Sequence, residues 1–204
     1  FLRRPSAVTV DTQRPLRESV AGADDIIVTH SDFSEAAQRL ADWRAQDRRF
    51  GDPMTTMVVD VQDIYDEFSG GLVDPMAIRA FVNHSFDNWS PRPTYITLMG
   101  DGTYDYKNNS GTSHTNWIPP YQDGESTYDE WYVRVEGEDR APEMAIGRLP
   151  VSSLGEAHDL VDKIIAYDRG DTPGPWQGRV LLVADDLVNP QESLAFESYF
   201  LIDA

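Results

Sequence analysis

The sequence predicts an α/β domain built on a mostly parallel sheet with helices on both faces. Three observations carry this expectation. Short runs rich in β-branched residues, at 26–29, 55–59, 95–99 and 180–183, alternate with longer stretches of helical period. Helix-start signals open several of those stretches, the clearest being Asp74-Pro75 and the pair Ser153 with Glu156. Acidic or polar residues close the strand-like runs at His30, Asp60, Asp101 and Asp185-Asp186, and in such sheets ligands sit beyond the carboxyl ends of the strands.

Taken in order, residues 1–24 carry Arg3, Arg4, Arg14 and Arg17 with two prolines and little periodicity, and are expected to be a lead-in segment from a preceding domain. Residues 25–30 read as a strand. Asp32 with Glu35 marks a helix start, and Ala36, Ala37, Leu40, Ala41 and Trp43 share the buried face of that helix, which ends near Phe50-Gly51-Asp52-Pro53. Residues 54–60 form a second strand, and 61–71 read as a loop with a short turn. The helix opened by Asp74-Pro75 buries Ile78, Phe81, Val82 and Trp89 and is ended by Pro91 and Pro93. A third strand, 95–99, is broken by Gly100-Asp101-Gly102. Residues 128–135 and 143–146 read as the two arms of an antiparallel hairpin turning at Glu136-Gly137-Glu138-Asp139. A further helix carries Ala157, Leu160, Val161, Ile164 and Ile165. A buried strand at 180–184 and a last helix from Asn189-Pro190 complete the pattern.

The formal net charge of −18 repels phosphate backbones, so no nucleic-acid partner is expected. It fits a heavily solvated acidic surface or several divalent-cation sites. No apolar run approaches the length needed to span a membrane as a helix. The chain has no cysteine, which excludes disulfides, Cys-ligated zinc and a Cys nucleophile within these residues. It begins Phe1-Leu2-Arg3-Arg4-Pro5 without an initiator Met and is read as a piece of a longer protein.

Among candidate site residues, Asp101 and Asp105 stand at one strand end. They form either a solvated Asp-Gly turn or a structural calcium site, since hard cations take several oxygens and a glycine turn lets carbonyls join. Glu136, Glu138 and Asp139 admit the same two readings. Arg148 is expected in a structural salt bridge. His30, His84, His114 and His158 show no metal-ligand spacing and no His-Glu-x-x-His, which excludes a zinc peptidase. His30 is expected to be hydrogen-bonded at a strand end, His84 and His158 to lie at the surface, and His114 to sit in a long loop. No Gly-x-Ser-x-Gly elbow occurs. On residues alone, Asp185-Asp186 is a strand end open to solvent.

The stretch Tyr95-Ile96-Thr97-Leu98-Met99-Gly100-Asp101 resembles the strand ending in Gly-Asp of gingipain-like C25 cysteine peptidases. Glu136-Gly137-Glu138-Asp139 and Ile146-Gly147-Arg148-Leu149-Pro150-Val151 resemble the next signature of that family, and 162–167 and 176–186 continue it. Residues 64–71 and 101–106 are similar to a narrower branch, the PorU-type surface sortases of type IX secretion. The resemblance implies a caspase-like fold of two side-by-side subdomains, the first at 25–175 and the start of the second at 176–204. It implies a Cys nucleophile activated by a His, both beyond Ala204, attacking a peptide carbonyl to form an acyl-enzyme without any cofactor. It places the acid that orients this His at Asp186, with Asp185 as the alternative. Implied partners are polypeptide substrates, the remainder of the peptidase domain and secretion-system proteins, at the cell surface or outside the cell. The alternative is a non-catalytic secretion or binding scaffold of the same fold. No acid at 192–197 matches the specificity residue of Arg-specific relatives, so Arg specificity is not expected.

Overall fold

The structure is a computed structural model that describes residues 15–48, 51–111, 115–124, 126–137, 141–171 and 173–180. The chain divides into two compact units, Phe1–Ile165 and Ala166–Ala204. In the first, the strands are β1 (Asp25–Thr29), β2 (Thr56–Asp60), β3 (Tyr95–Met99), β4 (Tyr121–Asp123), β5 (Ser126–Tyr128) and β6 (Ala145–Leu149). The helices are α1 (Ser34–Arg44), α2 (Val61–Ser69), α3 (Pro75–Asn88) and α4 (Leu154–Arg169), the last reaching into the second unit.

The main sheet has the order β2-β1-β3-β6 and is parallel throughout, while β4 and β5 form a separate antiparallel hairpin. Its register aligns Thr29 with Asp60 and Met99, and Met99 with Leu149, so all four strands end at one level. All five residues of β1 are buried, as a strand covered on both faces requires. Ile26, Val28, Ile96 and Leu98 pack on one face against Ile64, Ile78, Phe81 and Tyr132. Ile27 and Met99 pack on the other with Phe33, Leu40, Val161 and Ile165. Helices α2 and α3 thus cover one face, and α1 and α4 the other. Arg39 on α1 pairs with Asp162 on α4 at the surface.

Local signals explain the helix ends. Asp74 accepts from the Met76 N–H at 2.9 Å, with Pro75 at the first helical position, as expected. At α4, the Glu156 N–H donates to Ser153 Oγ at 3.3 Å, and the Glu156 carboxylate accepts from the Ser152 N–H at 2.8 Å, one residue earlier than a standard capping box places it. The lead-in is docked from Pro15 onward. Leu16 is buried, and Glu67 on α2 accepts from the N–H groups of Leu16 and Arg17 at 2.7 and 2.8 Å.

Three expectations are corrected. Residues 61–69 are the helix α2, not a loop. Asp60 caps it by accepting from the Gln62 N–H at 2.9 Å, and Gly70 ends it with φ 66°. The hairpin lies earlier than expected, at 121–128. Residues 130–133 form a 3-10 turn that buries Tyr132 and Val133, and β6 joins the main sheet in parallel. Helix α1 ends at Arg44, before Phe50. The strand at 180–184 and the last helix lie, apart from Val180, outside the described residues. In the second unit, a 3-10 turn at Pro175–Gly178 follows α4, and Trp176 packs on Tyr167 with ring centroids 5.8 Å apart.

Candidate functional site at the strand carboxyl ends

The strand order reverses direction between β1 and β3, since the chain passes from β1 out to β2 and then crosses back to β3. A crevice at the carboxyl ends of the strands is expected at such a switch point. Here β3 ends in Gly100-Asp101-Gly102, and the backbone there is tightly held. Gly100 N–H donates to Leu149 O at 3.0 Å and Asp101 N–H to Val151 O at 2.9 Å, while Asp101 O accepts from Trp117 and Ile118 at 3.0 and 3.1 Å. Glycine is required at 102 by contact: a Cβ there would lie 2.1 Å from Ile118 O.

Arg148, the fourth residue of β6, fastens these segments. Its Nε and Nη2 donate to both carboxylate oxygens of Asp129 at 2.7 Å each, and its Nη1 donates to Gly100 O and Ile118 O at 2.8 Å each. This fork geometry is what guanidinium offers and ammonium does not. The expected structural salt bridge is therefore present. Tyr132 adds a hydrogen bond from its hydroxyl to Pro119 O at 2.6 Å. Burial pushes the Tyr132 hydroxyl far above its usual titration range, partly opposed by the Arg148 charge, so it stays a protonated donor.

These constraints shape a cleft of about 620 Å³ lined by Asp101, Thr103, Tyr104, Trp117, Thr127 and Ser152, among others. Asp101 is exposed, and its Oδ1 accepts from the Gly102 N–H at 2.9 Å. Asp105 turns into its own loop, accepting from the N–H groups of Asn109 and Ser110 at 2.8 Å each and from the Ser110 hydroxyl. The Ser110 hydroxyl foremost, then the two amides, holds the Asp105 carboxyl below the usual carboxylate range. Among the described residues, no group of three or more His, Asp or Glu side chains stands where it could hold a metal ion. The calcium expectation at Asp101 and Asp105 thus has two carboxylates engaged with their own loops, where a calcium ion takes six to eight oxygens.

His30 takes the structural place expected. Its Nδ1 accepts from the Asp32 N–H at 3.2 Å, and its ring meets Trp117 edge-on at 4.9 Å. His158 lies 3.7 Å from Glu35, and His84 pairs with Asn88 one helical turn on. Glu136 is exposed. His114, Glu138, Asp139, Asp185 and Asp186 lie outside the described residues. Two groups that shape the cleft, Asp129 and Trp117, were missed in the sequence. Asp129 shows no signal beyond being one acid among many, and Trp117 stands in an aperiodic stretch.

Comparison with known proteins agrees with this architecture. The profile of peptidase family C25 matches residues 19–201. Gingipain R2 of Porphyromonas gingivalis (strain ATCC BAA-308 / W83) is 24% identical over 160 residues, 78% of this chain and 19% of that protein. Lys-gingipain W83 of Porphyromonas gingivalis is 26% identical over 163 residues, 78% of this chain and 8% of that one. The crystal structure of dimeric latent PorU from Porphyromonas gingivalis superposes with a TM-score of 0.62 at 25% identity, covering 80% of this chain and 17% of that chain. The Arg-specific cysteine proteinase gingipain R (RgpB) shares the fold, with a TM-score of 0.53 at 24% identity over 76% of this chain and 30% of that one. The chain spans less than a fifth of the length of these curated relatives. With about nine-tenths of its residues inside the matched profile, the chain belongs to peptidase family C25.

Proposed function

We propose that the full-length protein is a C25-type cysteine peptidase, cutting or transferring peptide bonds of secreted proteins at the cell surface or outside the cell. The observation that carries this reading is the family match over 19–201. The cleft at the strand carboxyl ends supports it, because a substrate backbone laid there would lie beside the ends of β3 and β6. The 204 residues contain no cysteine, so the nucleophile of such an enzyme would come from outside them, and the family resemblance implies the same for its His. This segment would provide the wall of the cleft and, at Asp186 or else Asp185, the carboxylate that orients the His and stabilises its imidazolium without taking the proton. Secretion-system proteins would then be partners in delivery.

The test is kcat/KM of the full-length protein with Asp186→Asn and Asp185→Asn, beside labelling by a thiol alkylator. One of the two variants is expected to lose about 100-fold or more in kcat/KM with folding intact. Wild-type activity in both removes the orienting role. Neither turnover nor labelling in the unsubstituted protein replaces the enzyme with a non-catalytic scaffold.

A further inference from the structure

The hairpin of β4 and β5 has two faces that do different things. Its register pairs Tyr121 with Tyr128 and Asp123 with Ser126, so these four side chains share one face, while Gln122 and Thr127 share the other. Thr127 lines the strand-end cleft. On the opposite face, Tyr121, Asp123 and Tyr128 line a separate pocket of about 240 Å³ with Trp131 and Arg134. The hairpin is therefore a thin partition between the cleft and this pocket.

The pocket wall is closely packed. Tyr121 stacks on Trp131 with centroids 3.7 Å apart and planes 7° from parallel. The Arg79 guanidinium sits 4.4 Å from the Trp131 ring centre and donates to Arg134 O at 2.6 Å. Arg134 itself is half-buried, and its Nε is shut off from solvent with no acceptor. Among the described residues, no carboxylate pairs with it. Asp129 is taken by Arg148, Glu143 accepts from the Val135 N–H at 2.6 Å, and Asp123 lines the same pocket without pairing. Only Nε is a buried donor without an acceptor, and because Arg134 lines the pocket its Nη donors are the groups that can meet a carboxylate there.

We propose that this pocket binds an acidic side chain of an extended polypeptide, Arg134 taking the carboxylate and the Tyr121, Tyr128 and Trp131 rings flanking its methylenes. That the ligand is a polypeptide rests on the peptidase reading: a chain seated in the cleft and passing over the hairpin brings a neighbouring residue to the pocket. Charge complementarity to Arg134 selects an acid, and Asp123 on the same wall opposes it. The chain as a whole, at net −18, repels acidic peptides, so a preference for them would come from a local site.

The experiment measures binding without turnover, on the full-length protein after treatment with a thiol alkylator. Calorimetric titration compares Ac-Ala-Ala-Glu-Ala-Ala-amide, its Gln counterpart, and Ac-Ala-Ala-Ala-Ala-Ala with a free carboxyl terminus. The Glu peptide is expected to bind about tenfold more tightly than the Gln peptide, as a charge-assisted bond implies. That preference should vanish in Arg134→Gln, persist in part in Arg134→Lys, and weaken in Tyr128→Ala, a half-exposed site where truncation leaves the core intact. Equal binding of the Glu and Gln peptides overturns the proposal, as does a preference that survives unchanged in Arg134→Gln. Tighter binding of the free-carboxyl peptide than of the Glu peptide overturns it in favour of a terminal carboxylate. Failure of the peptidase reading would appear separately, as absent alkylation and turnover with the Glu preference intact.

Discussion

The two ends of the parallel sheet handle buried charge in opposite ways. At the carboxyl end, Arg148 and Asp129 have side chains only 14% and 25% exposed, and each is the other's partner, with two carbonyls completing the arginine. At the amino end, Asp25 opens β1 and is buried. It accepts from the Thr97 hydroxyl at 3.1 Å and faces a cavity of about 320 Å³ that Arg44, Asp47, Asp52, Met54, Tyr95 and Thr97 also line. Burial pushes its carboxyl up to about 6, against the opposing pull of the Thr97 bond and the Arg44 charge. The carboxyl end sets its acid and its base against each other. The opposite end, where no cleft is needed, leaves a carboxyl that holds its proton into mildly acidic pH.

The largest expected effect comes from breaking the paired end. Arg148→Met leaves Asp129 partly buried without its partner and releases two loop carbonyls. Urea unfolding should show a loss of about 3 kcal/mol, with Arg148→Lys recovering only part of it. A loss in Arg148→Met no larger than that of a surface substitution would erase the contrast between the two ends.

The neutralised end should respond to pH with the opposite sign. The folded-state pKa of Asp25 lies above its ordinary value of 3.8, so its contribution is intact below pH 4 and is lost as pH rises through about 6. Asp25→Asn should therefore be more stable than the unsubstituted chain by about 2 kcal/mol at pH 7.5, a gain that disappears at pH 4. Stability curves of the two proteins that run parallel from pH 4 to 8 would show that Asp25 is not held protonated.

The smallest effect is expected at Asp105, a half-buried residue whose carboxyl pKa is lowered by its own loop. Its contribution is present at neutral pH and lost as pH falls below the ordinary carboxylate range. Asp105→Asn should lower Tm slightly at pH 7 and not at pH 3. If calcium raises Tm more in the unsubstituted chain than in Asp105→Asn, a cation site at Asp101 and Asp105 is established. Equal shifts assign the residue to loop closure alone.

Much of the sheet could be read from the chain because its strands are short, β-branched and bounded by strong punctuation. β3 was placed to the residue between Pro93 and Gly100, and the bounds of β1 and β2 were displaced by one or two residues. Helix α2 was missed although Val61, Ile64, Tyr65 and Phe68 fall at helical spacing. Asp60 drew attention as a strand-end acid, when its side chain is in fact the helix cap. The run Trp131-Tyr132-Val133 has strong strand propensity and forms a 3-10 turn instead. Tertiary burial of Tyr132 and Val133, and the Tyr132 bond to Pro119, override local preference there. The cleft was indicated only through Asp101 and Arg148. The Asp129 partner is set by a contact with Arg148 that spans 19 residues and leaves no local pattern, whereas the hairpin at 121–128 turns locally beside Asp123-Gly124.

The position of β1 has a consequence for the order in which the domain can be assembled during synthesis. β1 is the first strand to emerge, yet it lies in the interior of the sheet and needs β2 on one side and β3 on the other. Once Asp60 has been made, one edge of β1 can pair and α1 can cover one face. The other edge then stays open until residues 95–99 exist, some 35 residues later. During that interval a nascent chain carries an apolar strand edge that any extended polypeptide could occupy. Helices α2 and α3 are made within that interval, each opened by its own cap at Asp60 and Asp74, so a face of β1 can be covered before its second edge is paired.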